Sequence, residues 1–229
     1  MGKLYGIGVG PGDPELLTLK AYKILNQADV IFCPEKKKGA GSFAFDIIKE
    51  HIKDSKAQIV NLEYPMHYKG DELKKMWEEN GRLISEYLKG DKTGAFITLG
   101  DPSVYSTFMY TLPYIEAFGT ETEVVPGIPS FCAVSAKLGD SLVDRSEQLH
   151  VIPSTYDIED GLKLPGTKVL MKAASKMPLV KATLKEKHMT GTMIENCGMP
   201  EEHIYHKIDE IPDRASYYSI IVVKEGNHD

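Results

Sequence analysis

Residues 3–15 read KLYGIGVGPGDPE, an apolar run of alternating character followed at once by a turn rich in glycine and proline. The same arrangement returns twice, as TGAFITLGDPS over residues 93–103 and as TEVVPGIPS over residues 122–130. Each run predicts a strand, and each turn then leads towards a helical pattern. Carboxyl ends of parallel strands meet at one edge of a sheet, where open α/β sheets bind ligands. The sequence therefore predicts a ligand site built from three turns.

The segments around these turns alternate between strand and helix, which is typical of an α/β protein with a mainly parallel sheet. Strands are predicted at residues 3–9, 30–33, 58–62, 93–99 and 122–125, with helices at 18–28, 42–52, 71–89 and 104–118, the last interrupted at Pro113. Shorter strands follow at 150–153, 168–171, 192–195 and 217–223, with helices at 130–138 and 179–187. We expect two α/β domains, residues 1–118 and 119–229, divided where Gly119 breaks a helix.

Composition restricts the functional class. The chain has 229 residues, 42% hydrophobic, and a formal net charge of −6, which argues against a general nucleic-acid partner. Neither a secretory signal nor an apolar run of about 18 residues is visible, so we expect a cytoplasmic protein without a membrane partner. Cys33, Cys132 and Cys197 are far apart and have apolar neighbours, which indicates reduced, buried thiols.

The three turns have two competing interpretations. Gly-Asp-Pro is good chemistry for starting a helix, so a single copy more often marks a cap than a ligand site. A dinucleotide fold would need glycines at i, i+2 and i+5, but starting from Gly6, Gly8 or Gly10 the last position is never glycine. Asp13 and Asp101, if placed at helix N-termini, would repel a pyrophosphate and suit a positively charged ligand. S-adenosylmethionine, with its sulfonium and ammonium groups, meets that requirement.

At these residues the chain resembles the tetrapyrrole (corrin/porphyrin) methylase family. Gly8-Val9-Gly10-Pro11-Gly12-Asp13, Gly100-Asp101-Pro102 and Pro126-Gly127-Ile128 follow the family in order and spacing, and the likeness extends to residues 169–171, 195–196 and 219–223. Residues 16–21 and 100–108 most resemble the subgroup that methylates C20 of precorrin-2 or of cobalt-factor II in cobalamin biosynthesis. The resemblance implies a homodimer and a mixed second sheet, with S-adenosylmethionine in a cleft between the two domains.

The resemblance also implies roles for individual residues. The expected contacts of the methyl donor are Pro11, Leu99, Gly100, Asp101, Val104, Tyr105, Pro129, Ser130, Met171 and Cys197. Cys197 stands where uroporphyrinogen methylases often have glycine, and Pro34 stands where some of them carry an acidic residue. The base that removes the C20 proton is unassigned, with Tyr105, Glu195 and His150 as candidates. Gly12 and Asp13 are expected to contact the macrocycle.

The macrocycle itself carries eight carboxylates, which a protein of negative net charge must offset locally. Lys36-Lys37-Lys38 follows the second predicted strand and is a candidate grip, although a solvated charged turn explains the run equally well. No protein-bound metal is expected, because any cobalt arrives inside the substrate. The chain is rich in Lys and Ile and poor in Arg, as in many anaerobic organisms with AT-rich genomes. Because the anaerobic route inserts cobalt early, this composition favours cobalt-factor II over metal-free precorrin-2. Diphthine synthase, a ribosomal RNA methylase and a non-catalytic dinucleotide-binding module remain the alternatives.

Overall fold

The computed structural model describes residues 2–65, 69–154 and 158–224. The chain divides into two compact units, Met1–Pro129 and Ser130–Asp229. Each contains one five-stranded sheet. The α/β class expected from the sequence is confirmed.

The first unit is a parallel sheet with the strand order β3-β2-β4-β1-β5. Its strands are β1 (Lys3–Gly8), β2 (Val30–Glu35), β3 (Gln58–Glu63), β4 (Thr93–Thr98) and β5 (Glu121–Val125). Its helices are α1 (Leu19–Gln27), α2 (Phe43–Ile48), α3 (Asp71–Tyr87) and α4 (Thr107–Ala117).

Helices cover both faces of this sheet, which explains why its central strands are apolar at successive positions. On one face, Ile31 and Ile97 pack in the same cluster as helices α1 and α2. On the other face, Phe32 and Phe96 pack with α3 and α4. Neighbouring residues of one strand therefore serve two separate cores.

Helix α4 differs from its prediction, because it continues through Pro113. A proline inside a helix removes one backbone hydrogen bond. The helix is nevertheless fixed from the sheet side, where Phe108 and Ile115 are both fully buried. Its start is also secured, since the Ser106 hydroxyl accepts a hydrogen bond from Phe108 N at 3.1 Å.

The second unit is a mixed sheet with the strand order β6-β7-β10-β8-β9, in which only β6 and β7 are parallel neighbours. Its strands are β6 (Leu149–Pro153), β7 (Thr167–Met171), β8 (Thr190–Glu195), β9 (His203–Tyr205) and β10 (Ser219–Lys224). Its helices are α5 (Ser130–Leu138), α6 (Glu159–Leu162) and α7 (Met177–Glu186). Leu170, Val180 and Ile221 belong to its core.

The boundary between the units falls later than the sequence places it. Strand β5 pairs in parallel with β1, from Lys3 opposite Glu121 to Ile7 opposite Val125. A strand hydrogen-bonded to the first sheet belongs to the first unit, although it follows the glycine that ends α4. The first unit therefore ends at Pro129 instead of residue 118.

The thiols also differ in part from expectation. Cys33 and Cys197 are buried, whereas Cys132 is exposed; all three are unpaired. Within the described ranges, every helix is too short or too polar to span a bilayer.

Candidate functional site

The three glycine turns meet backbone to backbone at the carboxyl edge of the first sheet. Gly10 and Gly100 form an antiparallel bridge, with N–O distances of 2.7 Å from Gly100 N and 3.3 Å from Gly10 N. A Cβ atom on Gly127 would lie 2.2 Å from Gly100 O and 2.8 Å from Gly8 Cα. Those neighbours are backbone atoms and cannot move aside. The glycines are therefore required by the junction itself.

Asp101 joins the second turn to the third. Its Oδ1 accepts hydrogen bonds from Ser103 N at 2.8 Å and from the Ser103 hydroxyl, and its Oδ2 accepts from Gly127 N at 2.9 Å. The residue is 9% exposed. The local bond to Ser103 follows from the sequence, since Asp and Ser favour such turns. The bond to Gly127 spans 26 positions, and nothing in the sequence indicated it.

Neither acidic residue lies at the N-terminus of an α-helix, which corrects the sequence argument about ligand charge. Asp13 accepts from Glu15 N at 2.9 Å and caps a three-residue 3₁₀ turn, Pro14–Leu16. Helix α1 begins later, capped by Thr18, and α4 begins after Ser106. The helix dipoles consequently give no support for a positively charged ligand at these two carboxylates.

The remaining expected donor contacts of the first unit lie on or beside the junction. Pro11 is buried, whereas Leu99, Val104 and Pro129 are half-buried. Gly12, an expected macrocycle contact, is also buried. The Thr98 and Ser106 hydroxyls are 3.1 Å apart and both buried, so they close the base of the turn between them. Tyr105 projects from this turn with 38% of its surface exposed and a φ of 50°. A positive φ is uncommon for a tyrosine and is often found at functional sites.

Lys36, Lys37 and Lys38 are exposed and follow β2 at the same edge of the sheet. Strand β2 is the parallel neighbour of β4, with Phe32 opposite Phe96. The lysines therefore leave the sheet one strand away from the Gly100 turn.

In the second unit, Met171 and Glu195 are the last residues of β7 and β8, the two strands that flank β10. Strand β10 pairs with β7 and β8, setting Ile220 opposite Met171 and Ser219 opposite Glu195. Cys197 follows two residues after Glu195 and is buried. Lys172 and Asn196, beside this row, have φ values of 59° and 54°. These strained positions were missed by sequence reasoning, because backbone strain leaves no reliable trace in residue type. Ser130 is the first residue of α5.

The candidate bases Glu195 and His150 have different surroundings in the structure. Glu195 Oε2 accepts from the Tyr205 hydroxyl at 3.2 Å, and its Oε1 accepts from Ser216 N, so both oxygens already hold protein groups. His150 lies three residues before the end of β6, and its Nε2 is 2.9 Å from Pro165 O. It is about 10 Å along the strand from the edge that carries Met171.

The buried thiol of Cys197 is neutral at physiological pH. Burial raises its pKa to about 11, and the negative charge of Glu202 contributes in the same direction. A neutral thiol is a poor nucleophile, so Cys197 is unreactive at this pH. Within the described ranges, no group of three or more His, Cys, Asp or Glu side chains could hold a metal ion.

This fold and its three-turn junction define an α/β protein of two units, whose first sheet carries three joined glycine turns at its carboxyl edge. More specifically, the chain belongs to the tetrapyrrole (corrin/porphyrin) methylases, whose family model matches residues 3–212.

Three curated relatives are similar over nearly their whole length. A probable cobalt-precorrin-2 C(20)-methyltransferase of Methanocaldococcus jannaschii is 37% identical, covering 97% of this chain and 96% of the relative. The cobalt-precorrin-2 C(20)-methyltransferase of Salmonella typhimurium is 29% identical, with coverages of 98% and 97%. A precorrin-2 C(20)-methyltransferase of a Sinorhizobium species is 28% identical, with coverages of 97% and 95%.

Solved structures share the fold at lower identity. A cobalt precorrin-4 methyltransferase superimposes with a TM-score of 0.75 at 20% identity, covering 97% of this chain and 94% of its own. A uroporphyrin-III C-methyltransferase of Thermus thermophilus, complexed with S-adenosyl homocysteine, gives 0.73 at 20% identity, with coverages of 97% and 92%.

Proposed function

We propose that this protein transfers a methyl group from S-adenosylmethionine to C20 of cobalt-factor II in cobalamin biosynthesis. The observation that carries the proposal is the Gly10–Gly100–Gly127 junction, in which the Gly10–Gly100 bridge and the Asp101 side chain hold the three turns together. Full-length relatives that carry C(20)-methyltransferase names support the same reaction.

The methyl donor is proposed to contact Pro11, Leu99, Gly100, Asp101, Val104, Tyr105 and Pro129 in the first unit, and Ser130, Met171 and Cys197 in the second. Support comes from their grouping within each unit, at the junction and at the Met171–Glu195 edge. The relative solved with S-adenosyl homocysteine supports the identity of the donor.

Methyl transfer from a sulfonium to carbon is an in-line displacement whose leaving group departs neutral. The protein must mainly align the two reactants and exclude water. The electron-rich macrocycle supplies the nucleophilic carbon. A rigid turn suits this task, because the Asp101 bonds hold the backbone in place before either substrate binds.

Tyr105, Glu195 and His150 are the candidates for the group that accepts the proton lost from C20. Among them, Tyr105 is exposed beside the junction, whereas His150 lies away from the Met171 end of its sheet. We therefore propose Tyr105 as the side chain to test first for proton transfer or macrocycle packing.

Lys36, Lys37 and Lys38 are proposed to bind macrocycle carboxylates, and Gly12 and Asp13, on the turn after β1, are proposed to contact the macrocycle as well. The exposure of the three lysines at the sheet edge supports this role.

A homodimer is also proposed, supported by the outward face of α4, where Met109, Tyr110, Pro113 and Ala117 are exposed. The three unpaired cysteines support a cytoplasmic location.

The decisive experiment measures methyl transfer from radiolabelled S-adenosylmethionine to cobalt-factor II and to metal-free precorrin-2 under anoxic conditions. Cobalt stiffens the macrocycle, so a matched pocket discriminates by shape and preorganisation. We expect the cobalt form to have the higher kcat/KM. Faster turnover of precorrin-2 would overturn the cobalt assignment, and labelling of neither would overturn the reaction.

The donor site has its own test. Gly100 has a φ of 72°, so Gly100→Val both strains the turn and fills the proposed donor position. We expect severe loss of S-adenosyl homocysteine binding in calorimetry. Unchanged affinity in a folded variant would remove this turn from the site.

A further inference from the structure

Glu35 is buried at the point where the chain becomes fully exposed. It is the last residue of β2 and is 5% exposed, whereas each residue of the following segment, 36–41, is exposed. Its backbone is fixed, because Glu35 pairs with Glu63 of β3 and Tyr64 N donates to Glu35 O at 2.8 Å. We call residues 36–41 the lysine loop. A rigid, buried residue thus lies directly at its base.

The Glu35 side chain closes this loop. Its Oε1 accepts a hydrogen bond from Gly39 N at 3.0 Å, across four positions of the chain. Ala40 N donates to Lys37 O at 2.9 Å, and Gly39 has a φ of 78°. The three lysines therefore lie on a short loop that is held at both ends.

The other oxygen of Glu35, Oε2, is buried and lacks a hydrogen-bond partner among the described residues. Burying a carboxylate with an unused oxygen is unfavourable. Burial raises the pKa of the nearby Cys33 thiol to about 12, and the negative charge of Glu35 adds to this effect. A carboxylate such as that of Glu35 holds the Gly39 N–H more firmly than a neutral acceptor would. Its negative charge at the base of the loop also offsets the repulsion among the three successive lysines.

We propose that Glu35 is a positioning residue that keeps the lysine loop closed, so that its ammonium groups are preorganised for substrate carboxylates. The inference rests on the proposed role of Lys36–Lys38 in the function above. A loop ordered before binding spares the entropy that a free loop would lose when the macrocycle binds.

The first test measures trypsin cleavage at residues 36–38 in the full chain without ligands, with sites mapped by mass spectrometry. Glu35→Ala removes the Gly39 bond, and we expect cleavage on the order of tenfold faster. Glu35→Gln keeps an acceptor but loses the charge, so its rate should fall between those of the wild type and the alanine variant. Glu63→Ala is the matched control, since Glu63 lies opposite on the neighbouring strand but is exposed.

The second test asks whether Glu35 acts through the lysines. Glu35→Ala should raise KM for the macrocycle by about three- to tenfold and weaken its salt dependence, while leaving affinity for S-adenosyl homocysteine unchanged. In a background where all three lysines are Ser, the same substitution should change KM little.

Two results overturn the proposal. One is equal trypsin cleavage of the wild type and Glu35→Ala; the other is an equal KM effect in the presence and absence of the lysines. Failure of the proposed function is distinguishable, because it would appear as absent macrocycle methylation in the wild type. The cleavage measurement needs no substrate and still decides whether Glu35 holds the loop.

Discussion

At the scale of the single residue, Asp101 makes one hydrogen bond that its local sequence predicts and one that it does not. One oxygen serves its own turn and the other holds Gly127 N. Because the residue is buried, each of these bonds replaces water that cannot reach the group. The same carboxylate thus stabilises the fold and shapes the proposed donor site.

Asp101→Asn should destabilise the protein and weaken the binding of S-adenosyl homocysteine. The amide of Asn has one acceptor atom, so either Gly127 N or the Ser103 donors lose their partner, at a cost of about 1–3 kcal/mol. Urea denaturation and calorimetry measure the two effects. Asp13→Asn is the control, since Asp13 holds one local backbone bond and is less buried. Equal stability of the Asp101 variant and wild type would contradict this role.

The cysteines allow a test of accessibility and charge at the same scale. Iodoacetamide should label Cys132 first at pH 8, because Cys132 is exposed and the other two thiols are buried. The raised pKa of Cys197, about 11, keeps that thiol protonated and unreactive until the pH approaches this value. Mass spectrometry of the intact and digested protein identifies the order. Rapid labelling of Cys197 at pH 8 would contradict its burial.

At the scale of elements, α4 packs onto β1 through a glycine that leaves space for an aromatic ring. A Cβ atom on Gly6 would lie 2.1 Å from the Phe108 ring, and Phe108 is fully buried. The missing side chain on β1 therefore allows the helix to approach the sheet. This contact secures the helix that follows the Gly100 turn.

Gly6→Ala should destabilise the first unit strongly, by about 1–3 kcal/mol from overpacking. Phe108→Leu alone should cost a similar amount by leaving a cavity. Combined, the two changes should cost less than their sum, because Leu makes room for the new methyl group. Denaturation midpoints of the four proteins give the interaction energy, and strict additivity would show that the two residues do not share this space.

At the scale of the whole molecule, the proposed dimer has a candidate surface on α4. Tyr110 is 51% exposed and stacks on Trp77 with ring centroids 5.3 Å apart. A helix that exposes several apolar residues on its outward face is typical of an interaction surface. A second copy of the chain is the occupant that the family resemblance implies.

Light scattering should give twice the mass of one chain for the wild type. Tyr110→Glu should halve that mass, because a carboxylate in the centre of an apolar interface lacks a partner. Tyr22→Glu, on α1 and 44% exposed, is the matched control and should remain dimeric. A wild type with the mass of one chain at micromolar concentration would refute the dimer.

The sequence by itself determined the class of fold, most element positions and the family. Strand and helix periods are local properties, and a glycine-proline turn after an apolar run is visible without coordinates. The local sequence also determines that the first sheet has two cores, since Ile31 and Phe32 are adjacent in the chain but point to opposite faces of the sheet.

Tertiary structure alone decided which turns touch and which groups are buried. It assigned β5 to the first sheet through pairing with β1, carried α4 through Pro113 because its apolar face is packed, and left Cys132 exposed. It also joined Asp101 to Gly127 and buried Glu35 beneath the lysine loop. These features depend on contacts between distant segments, whose energies come from packing and desolvation in the folded chain and not from the residues' own preferences.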